Sequence, residues 1–215
     1  MDKKQITQAI ATALEEKGKR KFTQSVEAIF NFKGVDTSKP ENRVNLDISL
    51  PKGRGKVVPV VVFAEGAIAL DAQKAGATKV YDKNQILKLK ENHKEIKQLS
   101  KEAEFIAAPQ LMIDVGKNLG QILGAHGRLP KPIVGPVDAA IKMAASRVRL
   151  QNRGKYLPTV QCAIGTETMD INSLVDNFEA VYEKVKEKVG ESAIASAYVK
   201  MSMGKAVKIG AGTKN

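Results

Sequence analysis

Apolar residues follow two different rhythms along this chain, and the change of rhythm constrains the fold more than any other feature. Near the start, residues 24–33 alternate strictly. Val26, Ala28, Phe30 and Phe32 fall on one face, with Ser25, Glu27, Ile29 and Asn31 on the other. Residues 44–50 do the same, with Val44, Leu46, Ile48 and Leu50 inward and Asn45, Asp47 and Ser49 outward. Strict alternation belongs to strands with one covered and one wet face, the usual habit of antiparallel sheets. After the loop PKGRGK at 51–56 comes VVPVVVF, an uninterrupted apolar run. Such a run fits a strand buried on both sides.

That buried run opens a middle segment of its own style. An Ala-rich helix is expected near 66–75, stopped by Gly76, then a short strand at 79–81. A Lys/Glu-rich helix follows over roughly 83–103, an apolar strand at 105–108, and a helix from about 137 to 149. Short apolar strands alternating with helices predict a parallel α/β unit of three layers. Beyond Arg153 the one-faced style returns. Strands are expected at 156–164, 193–201 and 205–209. Asp170 caps a helix whose stripe runs Ile171, Leu174, Val175, Phe178, Val181, Tyr182, Val185 and Val189, ended by Gly190. An N-terminal helix over 3–17 carries Ile6, Ala9, Ile10, Ala13 and Leu14 on one stripe, with Gly18 behind it. The expected fold is α/β (α+β) with two domains. A split α+β domain is built from 1–58 and 153–215, and a Rossmann-like three-layer α/β domain is inserted at 59–152. One continuous α/β sheet is the alternative.

Charge bears on the partner. The 215 residues carry 35 Lys and Arg against 23 Asp and Glu, a net +12. The excess is +5 in 1–58, +5 in 59–152 and +2 in 153–215, so no single tail holds it. It gathers at element ends instead: Lys17, Lys19, Arg20 and Lys21; Lys52, Arg54 and Lys56; Arg147, Arg149, Arg153 and Lys155; Lys200, Lys205 and Lys208. Cations at turns can converge on one face, as a polyanion such as RNA requires. A general polyanion binder and a merely basic surface remain as alternatives. MDKKQITQAI lacks the apolar core of a signal peptide, and no stretch has the length of a membrane span. A cytoplasmic protein with no membrane partner is expected.

Motifs for catalysis are weak. Gly55-Lys56 and Gly116-Lys117 lack the Ser or Thr that completes a phosphate-binding P-loop. The run GKNLGQILGAHG misses the G-x-G-x-x-G spacing of a dinucleotide site and is expected to be a small-residue helix face packed closely on a neighbour, followed by a turn. The chain has one Cys, Cys162, mid-strand on an apolar alternation, and two His, His93 and His126. That excludes a disulfide framework and any Cys-based or multi-His metal centre. His93 sits among Lys and Glu and is given no role, while His126 lies in a Gly-bounded loop beside Arg128. No cofactor is implied and no enzyme is expected. A phosphate- or nucleotide-using enzyme of the α/β domain is the alternative function.

Four segments, in order, resemble a known family: KFTQSVEAIFNFKGVD at 21–36, NLDISLPKGRGK at 45–56, LGQILGAHGRLPKP at 119–132 and YVKMSMGKAVKI at 198–209. Together they are similar to the L-one family of large-subunit ribosomal proteins, the protein of the mobile ribosomal stalk. The details resemble the archaeal branch. Bacterial members read Leu-Gly-Pro-Arg-Gly-Leu-Met-Pro where this chain has 123–130, and Thr-Met-Gly-Pro where it has Ser202-Met203-Gly204-Lys205.

The resemblance implies a split domain that binds large-subunit rRNA, a stalk that assists release of exit-site tRNA, and repression of translation through the protein's own mRNA. It implies a monomer when free and a ribosomal location. Carried onto matching positions, the RNA-binding residues are Lys21, Phe22, Ser25, Glu27, Ser196, Ser202, Met203 and Gly204, to which Lys205 adds a cation. Gly127 and Arg128 form a secondary contact. Their chemistry suits RNA. Serine hydroxyls and Glu27 can meet a 2′-hydroxyl or base edge, Phe22 and Met203 a ribose or base face, and Lys21 a phosphate.

Overall fold

The computed structural model describes residues 2–152 and 157–210. Arg153 and Lys155 of the third basic cluster, Tyr156 of the expected 156–164 strand, and all but the first residue of the tail GAGTKN lie outside the described residues, as does the side chain of His93. The chain divides into two compact units, Met1–Lys56 with Ser146–Asn215, and Val57–Ala145.

In the first unit, strands β1 (Ser25–Phe32), β8 (Thr159–Thr166), β9 (Ile194–Met201) and β10 (Val207–Lys208) form an antiparallel sheet in the order β10-β9-β1-β8. Burial of β1 alternates residue by residue, with Val26, Ala28, Phe30 and Phe32 inward. Two helices cover that face. The first, α1 (Lys3–Leu14), is capped by the Asp2 carboxylate and buries Ile6, Ala9, Ile10 and Ala13. It stops at Leu14, short of Gly18, and a turn spans the interval. The second, α7 (Ile171–Val189), starts at Asp170, which accepts from the Ser173 amide at 3.0 Å. Phe30 lies 5.4 Å from Phe178 between ring centres and 6.3 Å from Tyr182, at the middle of one shared core.

A two-stranded ribbon completes this unit: β2 (Asn45–Ser49) with β7 (Arg147–Gln151), antiparallel, Leu46 opposite Leu150 and Ile48 opposite Val148. Here the sequence expectation is corrected. Residues 147–149 do not continue a helix, and 146–152 go with the first unit rather than the middle segment. The preceding helix, α6 (Val137–Ser146), ends at Ser146. RVRLQ then alternates, with Val148 and Leu150 buried and Arg149 exposed. Two buried aliphatics at a spacing of two satisfy a strand, and β2 supplies the missing partner edge.

The second unit has parallel strands in the order β4-β3-β5-β6, namely β4 (Lys79–Tyr81), β3 (Val60–Phe63), β5 (Glu104–Ala107) and β6 (Lys131–Pro132). Every residue of β3 and β5 is buried, as a double-sided strand requires. One face of the sheet packs with α3 (Lys83–Glu91), α4 (His93–Glu102) and α5 (Met112–Ala125). The other packs with α2 (Gly66–Lys74) and α6. The expected 83–103 helix is therefore two helices. Asn92 leaves helical geometry (φ −91°, ψ 68°), ends α3, and caps α4 by accepting from the Glu95 amide. Asn competes with the backbone for its own hydrogen bonds, which favours such a break. The glycine run also differs from expectation. Gly116 and Gly120 lie on α5, but a Cβ at either would meet nothing within 4 Å. Burial of α5 comes instead from Val115, Leu119 and Leu123 at i, i+4, i+8. Among the described residues no helix is long and apolar enough to cross a membrane.

Candidate nucleic-acid interface

Antiparallel pairing places the start of β1 beside the ends of β8 and β9. Ser25 faces Thr166 on one side, and Val26 faces Met201 on the other. Three connections therefore meet at one end of the sheet: residues 18–24, the turn 166–169 and the turn 201–204. The Ser25 carbonyl accepts from the Ser202 amide at 3.0 Å and from its hydroxyl at 3.3 Å. The Gly204 amide donates to the Met201 carbonyl at 2.9 Å, closing the turn. A β-bulge between Val26 and Glu27 disturbs the register with β8. Bulges sharpen twist locally, and here Ile164, Gly165 and Thr166 are buried in succession.

The structure brings Ser25, Glu27, Ser202, Met203 and Gly204 together at this end. Lys21 and Phe22 precede it by a few residues, and Lys205 follows it. Phe22 is 53 % exposed and Met203 59 %, so neither belongs to the core. Large apolar side chains held in solvent beside cations are what stacking on a ribose or base requires. Lys19, Arg20 and Lys21, just before Phe22 in the chain, and Lys205, just after Gly204, are exposed. With its proton directed at the Ser25 carbonyl, the Ser202 hydroxyl offers lone pairs outward. Gly204 is crowded from within. A Cβ there would stand 3.3 Å from Glu16 Oε2 and 3.3 Å from Met201 Cβ.

Other expected residues lie elsewhere. Ser196 shares the wet face of the sheet with Glu27, but opposite Asn31 at the far end of β9. From Lys200, the partner of Glu27, to Ser196 is four residues, or about 13 Å of strand. Ser196 accepts a 3.1 Å hydrogen bond from Asn31 Nδ2, which leaves its own proton to donate. Gly127 and Arg128 are in the second unit, where the Arg128 guanidinium pairs with the buried carboxylate of Glu104.

The basic clusters divide by commitment. Lys52 sits 3.7 Å from Asp176. Arg54 donates to the Arg147 carbonyl at 3.3 Å, and burial pulls the affinity of its guanidinium for a proton below the usual value. Burial does the same to Arg147, opposed by the charge of Asp47. Arg149 Nε donates to Asn45 Oδ1 at 3.1 Å. Arg54 thus ties the loop 51–56 to β7, and Arg149 links the two strands of the ribbon.

Of the buried polar residues not singled out from the sequence, Gln24, Glu167 and Asn177 bear on this end. Gln24 and Glu167 bond to one another beneath the Met203 turn. Asn177, fully buried on α7, donates to the Gly53 and Ile164 carbonyls at 2.9 and 2.7 Å and accepts from the Lys52 amide at 2.9 Å. The signal for Asn177 was a polar residue beside Phe178 on a buried helix stripe, since such a position demands a partner. Gln24 and Glu167 carry no comparable signal, because both stand in polar connections. Among the described residues no cluster of three His, Cys, Asp or Glu could hold a metal. Burial pushes the Cys162 thiol up to about 12, which leaves it without nucleophilic character near neutrality.

Comparison with known proteins fits this geometry to a family. The model of the Ribosomal protein L1p/L10e family matches residues 13–205. A protein of Methanocella arvoryzae named large ribosomal subunit protein uL1 is 37% identical over 212 residues, covering 97% of this chain and 100% of that protein. A protein of the same name from Methanothermobacter thermautotrophicus is 38% identical over 208 residues, 95% of this chain and 98% of that protein. Another, from Thermoplasma volcanium, is 36% identical over 219 residues and covers both chains fully. With a split antiparallel unit, an inserted parallel one and a match over most of its length, this chain belongs to the Ribosomal protein L1p/L10e family.

Proposed function

We propose that this chain is a structural protein of the large ribosomal subunit, located in the cytoplasm on the ribosome, and that it binds rRNA through the β1/β9 end of its first unit. The observation that carries this reading is the exposed pair Phe22 and Met203, flanked by Lys21 and Lys205 and set beside the Ser25–Ser202 contact. An apolar surface supplies stacking, cations meet phosphates, and hydroxyls meet the 2′-hydroxyl that distinguishes RNA. Ser196 extends the same wet face as a donor. Arg128, held by Glu104, contributes less to binding than the cations around Phe22. The chain acts as a binding protein and not as an enzyme, in keeping with relatives that are each named a ribosomal protein.

Two finer activities follow from the same surface. As the mobile stalk, the protein assists departure of exit-site tRNA. As a free monomer, it represses translation by binding a mimic of its rRNA site in its own mRNA. Footprinting on deproteinised large-subunit rRNA tests the primary reading, with one compact protected site expected. Scattered protection, or equal affinity for double-stranded DNA, would instead make the chain a general polyanion binder. Repression is tested by translating the protein's own message with added protein. Competing rRNA fragment should relieve the inhibition.

A further inference from the structure

Glu167 is 6 % exposed and Gln24 1 %, and together they form a polar knot under the surface of the candidate RNA site. The Gln24 backbone amide donates to Glu167 Oε1 at 3.1 Å, and its side-chain Nε2 donates to Glu167 Oε2 at 3.4 Å. The Glu167 amide returns a bond to the Gln24 carbonyl at 3.0 Å. On the other side, Gln24 Oε1 accepts from the Met203 amide at 3.1 Å. Glu167 Oε2 also lies 3.5 Å from the amide of Gly18, where the basic stretch 17–21 begins.

A carboxylate only accepts, whereas a side-chain amide has one accepting and one donating end. Facing Glu167, Gln24 must therefore present its NH2 inward, which forces its oxygen toward Met203. We propose that Glu167 is a positioning residue for RNA binding, its carboxylate orienting the Gln24 amide so that Gln24 Oε1 holds the Met203 turn in the binding geometry. This rests on the reading of the β1/β9 end as the RNA site.

Exchange of acceptor and donor tests it in the full-length chain. Glu167→Gln keeps size and shape but places an NH2 near Gln24 Nε2. With the remaining oxygen kept on the Gln24 backbone amide, Gln24 relieves this donor–donor contact by reversing its side-chain amide, which turns its own NH2 toward the Met203 amide and releases it. Affinity for deproteinised large-subunit rRNA should fall roughly tenfold, about the loss of one hydrogen bond. The slope of log affinity against log salt should stay unchanged, and hydrogen exchange at the Met203 amide should accelerate. The swapped double variant, Gln24→Glu with Glu167→Gln, again offers an acceptor to Met203 and an acceptor to the new amide, at the same net charge. It should recover most of the affinity and the Met203 protection, while Gln24→Glu alone, with two abutting carboxylates, should not. Wild-type exchange at Met203 in Glu167→Gln, or loss of affinity that the swap fails to recover, overturns the proposal. Met203→Ala is the control for the site. Should it bind RNA as the wild type does, the RNA-site reading fails, whereas the exchange data still report on the orientation of Gln24. If Glu167→Gln does not fold, wild-type-like protection at Met203 in Gln24→Ala also overturns the proposal, since that variant deletes the accepting oxygen.

Discussion

At the scale of single residues, the proposed RNA-binding end combines groups whose removal should leave different signatures. Met203→Ala takes away an exposed apolar surface and no charge. It should cost about 1–3 kcal/mol of RNA affinity if the thioether packs on a base or ribose, with the salt slope unchanged. Lys205→Ala should do the reverse, flattening the slope by about one unit in titrations across salt concentrations. Gly204→Val adds a branched side chain where even a Cβ would stand 3.3 Å from Met201 Cβ, so it displaces the turn and obstructs approach. Its affinity should fall at constant slope, and melting curves establish that the variant is folded. Cys162 makes a separate test. Its thiol is held up to about 12 by burial, against 9.0 in the open chain, so the unfolded state releases its proton first as pH rises. The stability contributed is complete below about 9 and is lost as pH climbs toward 12. Cys162→Val should flatten this alkaline decline in urea titrations, and native Cys162 should resist thiol reagents near pH 8.

Elements hold this end in place through buried polar bonds. Asn177 joins the loop 51–56 to β8 from inside α7, with all three of its hydrogen bonds made to backbone. Asn177→Ala strands the carbonyls of Gly53 and Ile164 and the amide of Lys52. About 2–4 kcal/mol of unfolding free energy should be lost in urea denaturation, since each abandoned buried group costs about 1–3 kcal/mol and water reaches some of them. The same loop approaches the 166–169 turn so closely that a Cβ on Gly55 would stand 2.6 Å from Met169 Sδ, at φ +68°. Only glycine fits there on both grounds. Strand β7 shows why element boundaries escaped the sequence. Ala-rich α6 runs directly into RVRLQ, and three of its residues pass for a continued helix. What makes them a strand is β2, about a hundred residues away in the chain, whose Leu46 and Ile48 need Leu150 and Val148 opposite. The helix break at Asn92 is the converse, a local event that its capping chemistry explains afterwards.

For the whole molecule, the two crossings at 56/57 and 145/146 suggest that the end-built unit folds alone. Joining 1–56 to 146–215 through a short Gly linker should give a folded protein that retains most of the RNA affinity. Joining 1–58 to 153–215 removes β7. It should be less stable by about 3–6 kcal/mol, the burial of Val148 and Leu150 at 1.5–3 kcal/mol each, as read from chemical denaturation. Two kinds of information separate here. The sequence alone determined the two styles of strand and their order along the chain, the net charge of +12 and the residue types suited to RNA. Periodicity and composition are local properties, fixed by which side chains prefer burial. Tertiary structure decided the partners. It set Phe22 and Met203 in solvent rather than core, Ser196 at the far end of the face, Arg128 against Glu104, and Gln24 and Glu167 beneath the Met203 turn. Those outcomes depend on pairings between residues 24 to 179 positions apart. A hydrogen bond or ion pair forms only where the fold delivers both groups, and no local pattern encodes that meeting.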